Sequence, residues 1–146
     1  MKKEFLWFLT DLDEQEILQA IREAETQTSG EIRVHLHAGG SGNVYEEAVK
    51  TFHRLGMHKT ALRNGILFYI DTERKKFAVI GDEGIHRHVK DNFWKETAEI
   101  LEQHFAKKNF KEGLIEAILY TGRALKNYFP WLENDVNELP DEISYD

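Results

Sequence analysis

The chain has 146 residues, of which 41% are hydrophobic and 31% charged, and it contains no cysteine. This size and balance predict one globular domain with a buried core, and the lack of cysteine excludes disulfides, thiolate metal sites and a cysteine nucleophile. A formal net charge of -7 gives no electrostatic support for nucleic-acid binding. The apolar start of the chain is too short for a signal peptide, and no later segment reaches the roughly 20 apolar residues of a membrane span. We therefore expect a cytoplasmic protein with no membrane span.

The first half of the chain predicts a helix, a strand and a second helix. Asp13 is expected to cap the first helix, with Glu16 closing a capping box. The segment 31–37 alternates apolar and polar residues, which is typical of a strand with one face in the core. A glycine-rich loop at 39–42 separates this strand from a helix predicted over 44–55.

The second half predicts a β-hairpin followed by two helices. The segment 66–70 is apolar on both faces and is expected to be a central strand. A polar turn at 72–75 leads into a returning strand over 77–80. Helical spacing of apolar residues then predicts helices over 90–107 and 111–128.

These elements predict an α/β fold with a small mixed β-sheet between helices. The strand-helix-strand unit should form a right-handed parallel crossover, and the next strand should pair antiparallel with the second. We expect a single α/β domain over residues 1–130 and an acidic C-terminal tail over residues 131–146.

Strand direction then predicts which polar residues meet. The first two strands begin at the same end of the sheet, and the third strand finishes there, where Gly81 and Gly84 let the backbone turn. Pairing across the hairpin places Glu83 opposite Asn64. The residues expected at this edge, which we name the predicted rim, are Glu31, Arg63, Asn64, Asp82, Glu83 and Asp91.

Crowded carboxylates repel one another unless protons, arginine or a cation intervene. A hard divalent cation, Ca²⁺ or Mg²⁺, takes oxygen ligands of this kind. The predicted metal ligands are Glu31, Asp82, Glu83 and Asp91. The alternative is that these acids are solvated ends of helices and strands, with Arg63 neutralising one of them.

Three motifs in order resemble the TPM domain family, which includes the thylakoid-lumen photosystem-repair proteins, and especially its short stand-alone bacterial members. They are Thr60-x-x-Arg63-Asn64-Gly65-Ile66-Leu67, Gly81-Asp82-Glu83-Gly84-Ile85-His86 and Asn137-Glu138-Leu139-Pro140-Asp141. The similarity covers nearly the whole chain, from Glu25-x-x-Thr28-x-Gly30-Glu31-Ile32 onward.

The resemblance implies an α/β sandwich, a divalent cation at an acidic rim and, in some members, acid phosphatase activity. Glu31 and Asp91 stand where members carry acids, whereas position 63 is arginine where many members have an aspartate. That departure removes one metal ligand. The segment Asn137 to Asp141 is expected to pack near the rim or to form an acidic end without fixed structure.

Three functions remain open. The first is a cation-binding module for a protein partner, in assembly or repair. The second is a metal-dependent phosphatase acting on phosphomonoesters, in which Arg63 binds the substrate phosphate. The third is an interaction domain without metal. Zinc is disfavoured, because the pairs His35/His37 and His86/His88 each lack a third ligand in this topology.

Overall fold

The computed structural model describes residues 3–131, 138–139 and 141–146. Asn137 and Pro140 of the third motif lie outside the described residues. The helices are α1 (Asp11–Glu25), α2 (Val44–Arg54), α3 (Glu83–His88), α4 (Asp91–Ala106) and α5 (Phe110–Leu125). The strands are β1 (Glu31–His37), β2 (Gly65–Asp71), β3 (Lys76–Gly81) and β4 (Ile143–Tyr145).

The four strands form one mixed sheet in the order β3-β2-β1-β4. β1 runs parallel to β2, with Glu31 paired to Gly65, and β2 runs antiparallel to β3, with Ile66 paired to Gly81. Both the crossover and the hairpin confirm the predicted fold class. β4 was not predicted: it pairs parallel with β1, Val34 opposite Ile143, and it lies in the segment that we assigned to the tail.

Helices cover both faces of this sheet. On one face, the alternate residues Ile32, Val34 and Leu36 of β1 pack in a large core with α1, α4 and α5. On the other face, Phe52 of α2 packs against Leu67 and Tyr69 of β2 in a smaller core. β2 is buried along its whole length, as its apolar sequence predicts.

The segment after β3 is a short helix and not the sharp glycine turn that the sequence suggested. Asp82 caps α3 by accepting a hydrogen bond from the Glu83 amide. The described glycines with positive φ are Gly39 and Gly56, so Gly81 and Gly84 are not needed for a left-handed turn. Both permit close packing instead, since a Cβ on Gly84 would lie 2.2 Å from the Leu62 carbonyl oxygen and one on Gly81 2.5 Å from the Trp94 ring.

No helix among the described residues combines the length and the apolar character needed to cross a membrane.

Candidate functional site

At the predicted rim, Arg63 is paired with two of the predicted metal ligands. Its Nε and Nη2 donate to the two carboxylate oxygens of Asp82 at 2.7 and 2.8 Å, and its Nη1 donates to Glu83 at 3.2 Å. Arg87 also donates to Glu83, at 3.2 Å. A two-point arginine–carboxylate contact is among the stronger ion-pair geometries. These two carboxylates therefore have cationic partners within the chain.

The other two predicted ligands, Asp91 and Glu31, do not take part in these ion pairs of Arg63 and Arg87. Asp91 is exposed at the start of α4, and within the described part of the chain no hydrogen bond or ion pair joins it to Glu31, Asp82 or Glu83. Glu31 begins β1 and is only 4% exposed. Its carboxylate accepts a hydrogen bond from the Glu138 amide at 2.7 Å.

Glu31 belongs to a group of acids that we name the β1 acidic cluster. Its members come from the end of α1, the start of β1 and the segment before β4: Glu25, Glu31, Glu138 and Asp141. Glu25 accepts a hydrogen bond from the Ile32 amide at 3.1 Å, and it also shares a hydrogen bond with Asp141. The Oδ1 atom of Asp141 is buried and has no hydrogen-bond partner among the described residues.

Two carboxyls of this cluster, Glu25 and Glu31, have raised pKa values. Burial raises the pKa of Glu25 to about 9, assisted by the hydrogen bond to Asp141 and by the charges of Asp141 and Glu31. Burial also raises the pKa of Glu31 to about 7, against the lowering effect of the Glu138 amide. No described lysine, arginine or histidine forms an ion pair with a member of the cluster. The described residues therefore leave the buried Glu31 carboxyl and the half-buried Glu25 carboxyl without a cationic partner.

Asn64 adds a neutral oxygen close to Glu31. Its backbone carbonyl accepts the Glu31 amide at 3.2 Å, and its side-chain Nδ2 donates to the Ser29 carbonyl at 3.3 Å. The side-chain Oδ1 is buried, with no hydrogen-bond partner in the part of the chain that the structure describes, and the residue is 2% exposed. Buried oxygens that lack a donor are unusual, because leaving one unpaired costs free energy.

A second acidic group lies at the opposite end of the sheet. Within the described residues, His37, Glu47 and Asp71 are the group that brings three potential metal-ligand atoms within 4.8 Å of one another. Arg74 already lies between the two acids: its Nε donates to Asp71 at 2.6 Å and its Nη2 to Glu47 at 3.0 Å. We name these four residues the Arg74 group.

The carboxyls of the Arg74 group are stabilised in the charged form. The pKa of Asp71 is lowered despite its burial, because the amides of Arg74 and Gly40 and the Arg74 guanidinium all donate to it. The pKa of Glu47 is also lowered, first by the Gly42 amide and then by the charge of Arg74. These pKa shifts are opposite in sign to those of Glu25 and Glu31. Because Arg74 and backbone amides already stabilise the negative charges of the Arg74 group, a bound cation would add less here.

The sequence profile of the TPM domain family matches residues 5–124. The chain belongs to the TPM domain family. Several solved structures resemble it. The BA42 protein of Bizionia argentinensis, determined by NMR, is 45% identical, with 95% of this chain and 96% of that chain covered and a TM-score of 0.91.

Two more distantly similar solved structures agree with this architecture. The N-terminal domain of a P. gingivalis protein is 19% identical, with 84% of this chain and 79% of that one covered and a TM-score of 0.66. The N-terminal domain of cg2496 from Corynebacterium glutamicum is 10% identical, with 92% and 79% covered and a TM-score of 0.65. At such identities the likeness supports the fold alone. None of the curated proteins that were compared matches the chain.

Glu25, Glu138 and Asp141 were not among the residues that we predicted as ligands. The signal that could have found them is the family resemblance itself, because Glu25 begins its first segment and Asp141 ends its third motif. Of the two alternatives for the third motif, the structure agrees with packing near the rim, since Glu138 and Asp141 approach Glu31. What the sequence did not supply is the contact of Asp141 with Glu25.

Proposed function

We propose that this TPM domain binds a divalent cation, Ca²⁺ or Mg²⁺, at the β1 acidic cluster. The observation that carries the proposal is a pair of adjacent carboxyls without a cationic partner among the described residues, the buried Glu31 and the half-buried Glu25. Their pKa values are raised to about 7 and about 9. Protons neutralise such acids when no cation is bound, and a bound cation takes the place of those protons.

The donor set favours a hard cation. Every side chain of the cluster offers carboxylate oxygen, and Asn64, whose backbone carbonyl accepts the Glu31 amide, carries a buried neutral side-chain oxygen. Ca²⁺ and Mg²⁺ both take oxygen ligands, and Mg²⁺ is commonly held by only one or two carboxylates with waters completing its shell. That mode suits this cluster, whose oxygens do not form a compact group of three protein ligands.

A cation at this position would connect parts of the chain that are distant in sequence. Glu25 and Glu31 flank the start of β1, whereas Glu138 and Asp141 belong to the segment that precedes β4. By binding both sets of acids, the cation would fix that segment against β1. We therefore assign the domain a role as a cation-dependent module for protein interaction in assembly or repair, its partner unidentified.

The remaining predicted residues have a smaller place in this proposal. Asp82 and Glu83 would reach a cation only after losing Arg63, and Asp91 stays a prediction without a contact to the cluster. The phosphatase alternative needs Arg63 to bind a phosphate. Because Arg63 donates to Asp82 and Glu83, no observation favours that activity over cation binding.

Backbone amide shifts recorded during Ca²⁺ and Mg²⁺ titrations test the proposal. We expect saturable shifts at Glu31, Ile32, Glu138 and Asp141. Glu31→Gln and Asp141→Asn should each lower the affinity for the cation on the order of tenfold or more, as loss of a metal-site residue commonly does. The matched control is Glu47→Gln, which removes one acid from the Arg74 group and should leave the affinity unchanged.

Shifts centred on His37, Glu47 and Asp71 would contradict this assignment and move the site to the other end of the sheet. A titration in which neither cation produces saturable shifts would support the interaction domain without metal.

A further inference from the structure

A cavity of about 350 Å³ lies outside the carboxyl ends of β1 and β4, and we name it the β1–β4 pocket. Polar and charged side chains dominate its lining: His37, Glu47, Lys50, Arg54, Tyr69 and Asp146. The pocket lies at the His37 end of β1, whereas the β1 acidic cluster lies at the Glu31 end of the same strand. It is therefore a separate site from the proposed cation centre.

The sheet topology makes this a favoured position for a ligand. From β1 the chain passes through α2 to β2 on one side, and it later returns to place β4 on the other side of β1. Ligands of open α/β sheets bind at such a switch point, in the crevice outside the carboxyl ends of the strands.

The carboxylate of Asp146 already occupies part of this crevice. Its Oδ1 accepts hydrogen bonds from His35 Nε2 at 2.7 Å and from His37 Nδ1 at 2.6 Å, and its Oδ2 accepts one from Arg54. An ionised carboxylate only accepts hydrogen bonds, so His35 Nε2 and His37 Nδ1 must each carry a hydrogen. Although burial opposes ionisation, the two histidines and the charge of Arg54 lower the pKa of Asp146 to about 2.

The groups around this carboxylate are held in place by the fold. His35 is 1% exposed, its ring stacks on Tyr69, and its Nδ1 lies 2.7 Å from the Ser144 hydroxyl, within hydrogen-bond distance. The second acid of the pocket, Glu47, is already paired with Arg74. When Asp146 leaves, Arg54 and Lys50 would remain as cations facing the vacated position.

We propose that the β1–β4 pocket is a binding site for a small carboxylate ligand, and that Asp146 occupies its carboxylate position as an internal competitor. The ligand carboxylate would accept hydrogen bonds from His35, His37 and Arg54 in place of Asp146. The rest of the ligand would fill the cavity beside Lys50 and Tyr69. If Asp146 occupies the position nine-tenths of the time, it weakens the apparent affinity about tenfold.

The test uses malonate as the probe, with acetate and inorganic phosphate beside it, at constant ionic strength. Binding is measured from the shifts of the His35, His37 and Tyr69 signals in the full chain. Asp146→Asn removes the competing charge and should bind malonate about tenfold more tightly than the natural chain. Adding Arg54→Gln to that variant should abolish the gain.

Glu142→Gln is the matched control. It changes the net charge by the same amount in the same segment, but Glu142 pairs with Arg33 and does not line the pocket. It should bind malonate as the natural chain does. Equal affinities for Asp146→Asn and Glu142→Gln would overturn the proposal, as would tighter binding of phosphate than of malonate.

The natural chain gives a second measurement that does not depend on any variant. Saturating malonate should shift the Asp146 amide together with His37, because the ligand displaces that side chain. An Asp146 signal that stays fixed while malonate binds would also overturn the proposal. Ca²⁺ should move the β1 acidic cluster and not these signals, so the two proposals can fail independently.

Discussion

Gly84 illustrates how a single residue fixes the geometry beside Arg63. A Cβ at this position would lie 2.2 Å from the Leu62 carbonyl oxygen and 2.5 Å from the Arg63 carbonyl oxygen, both of which belong to the backbone. We expect Gly84→Ala to destabilise the domain by roughly 1–3 kcal/mol, since the backbone must shift to accept the methyl group. Denaturant unfolding followed by circular dichroism measures the change.

Gly42→Ala is the control for that substitution. Gly42 is exposed, and its added Cβ would find only the Glu47 carboxylate, at an ordinary contact distance of 3.4 Å. Its free energy of unfolding should stay within about 0.5 kcal/mol of the natural chain. Similar unfolding midpoints for the two variants would show that the contact at Gly84 is easily relieved.

Proton release reports directly on Glu25 and Glu31. At pH 7, pKa values of about 9 and about 7 leave Glu25 protonated and Glu31 near half protonated. A cation that binds the ionised forms must expel these protons, so we expect release of about one proton or more per cation at pH 7. Calorimetric titration in buffers of different ionisation enthalpy measures that number.

The affinity for the cation should accordingly increase as the pH rises from 6 to 9. Glu31→Gln should release fewer protons than the natural chain, whereas Glu47→Gln should release as many. An affinity that does not change over this pH range would place the cation away from these two carboxyls.

Among the secondary-structure elements, α1 begins at a different residue from the one that the sequence predicted. We predicted Asp13 as the N-cap with Glu16 completing the box. The structure begins α1 one turn earlier: Thr10 accepts the Asp13 amide at 3.1 Å, and Asp13 accepts the Thr10 amide at 3.0 Å. The predicted box was wrong because a second cap-forming residue, Thr10, precedes it in the same register.

Thr10→Ala tests this assignment. Loss of an N-cap hydroxyl should cost about 1 kcal/mol of unfolding free energy. Glu16→Ala, which removes an ion pair with Lys111 and not a cap, should cost less than about 0.5 kcal/mol. Thermal unfolding of both variants decides between them, and a larger loss for Glu16→Ala would restore the box that we predicted.

Local pattern was sufficient for most of the fold. Alternation placed Ile32, Val34 and Leu36 in the core, and the apolar run of β2 predicted a central strand. The observed pairing of Ile66 with Gly81 agrees with the predicted approach of Asn64 and Glu83. Asn43, which immediately precedes the predicted helix over 44–55, caps α2 by accepting the Glu46 amide at 3.1 Å. Each of these features depends on neighbours in sequence or on a short hairpin.

β4 and the acid cluster could not be predicted in the same way. Three residues, Ile143 to Tyr145, are too few to show a period, and they pair with a strand more than 100 positions earlier. Glu31 was identified because it begins a strand, but its raised pKa depends on burial beside Glu138 and Asp141. Such burial is a property of the folded chain and not of any local pattern.

The molecule carries a net charge of -7, and its acidic groups differ in whether a cationic side chain pairs with them. Arg63 and Arg87 pair with acids at the predicted rim, and Arg74 and Arg54 pair with acids at the other end of the sheet. The β1 acidic cluster has no described cationic side chain in ion-pair contact. A bound cation would therefore supply the positive charge that the described side chains do not bring to Glu25 and Glu31.

This imbalance predicts how stability depends on pH. Glu25 and Glu31 have folded-state pKa values of about 9 and about 7, above the 4.5 expected when unfolded. The folded state therefore binds more protons, and the stabilisation is complete below pH 4.5 and is lost as the pH rises through 7 and 9. The window from pH 7 to 9 isolates this effect, because His35, with a lowered pKa, changes stability at lower pH.

We therefore expect the melting temperature to fall from pH 7 to pH 9 in the presence of a chelator. Saturating Ca²⁺ or Mg²⁺ should reverse that fall, since a ligand at about 100 times its Kd stabilises the folded state by roughly 2.7 kcal/mol. Glu25→Gln combined with Glu31→Gln removes both titrating groups and should flatten the profile with or without the cation. Calorimetric melts of the two chains across this window measure both effects. A natural chain that melts at the same temperature at pH 7 and pH 9, with and without the cation, would contradict the charge imbalance from which the proposed cation site was inferred.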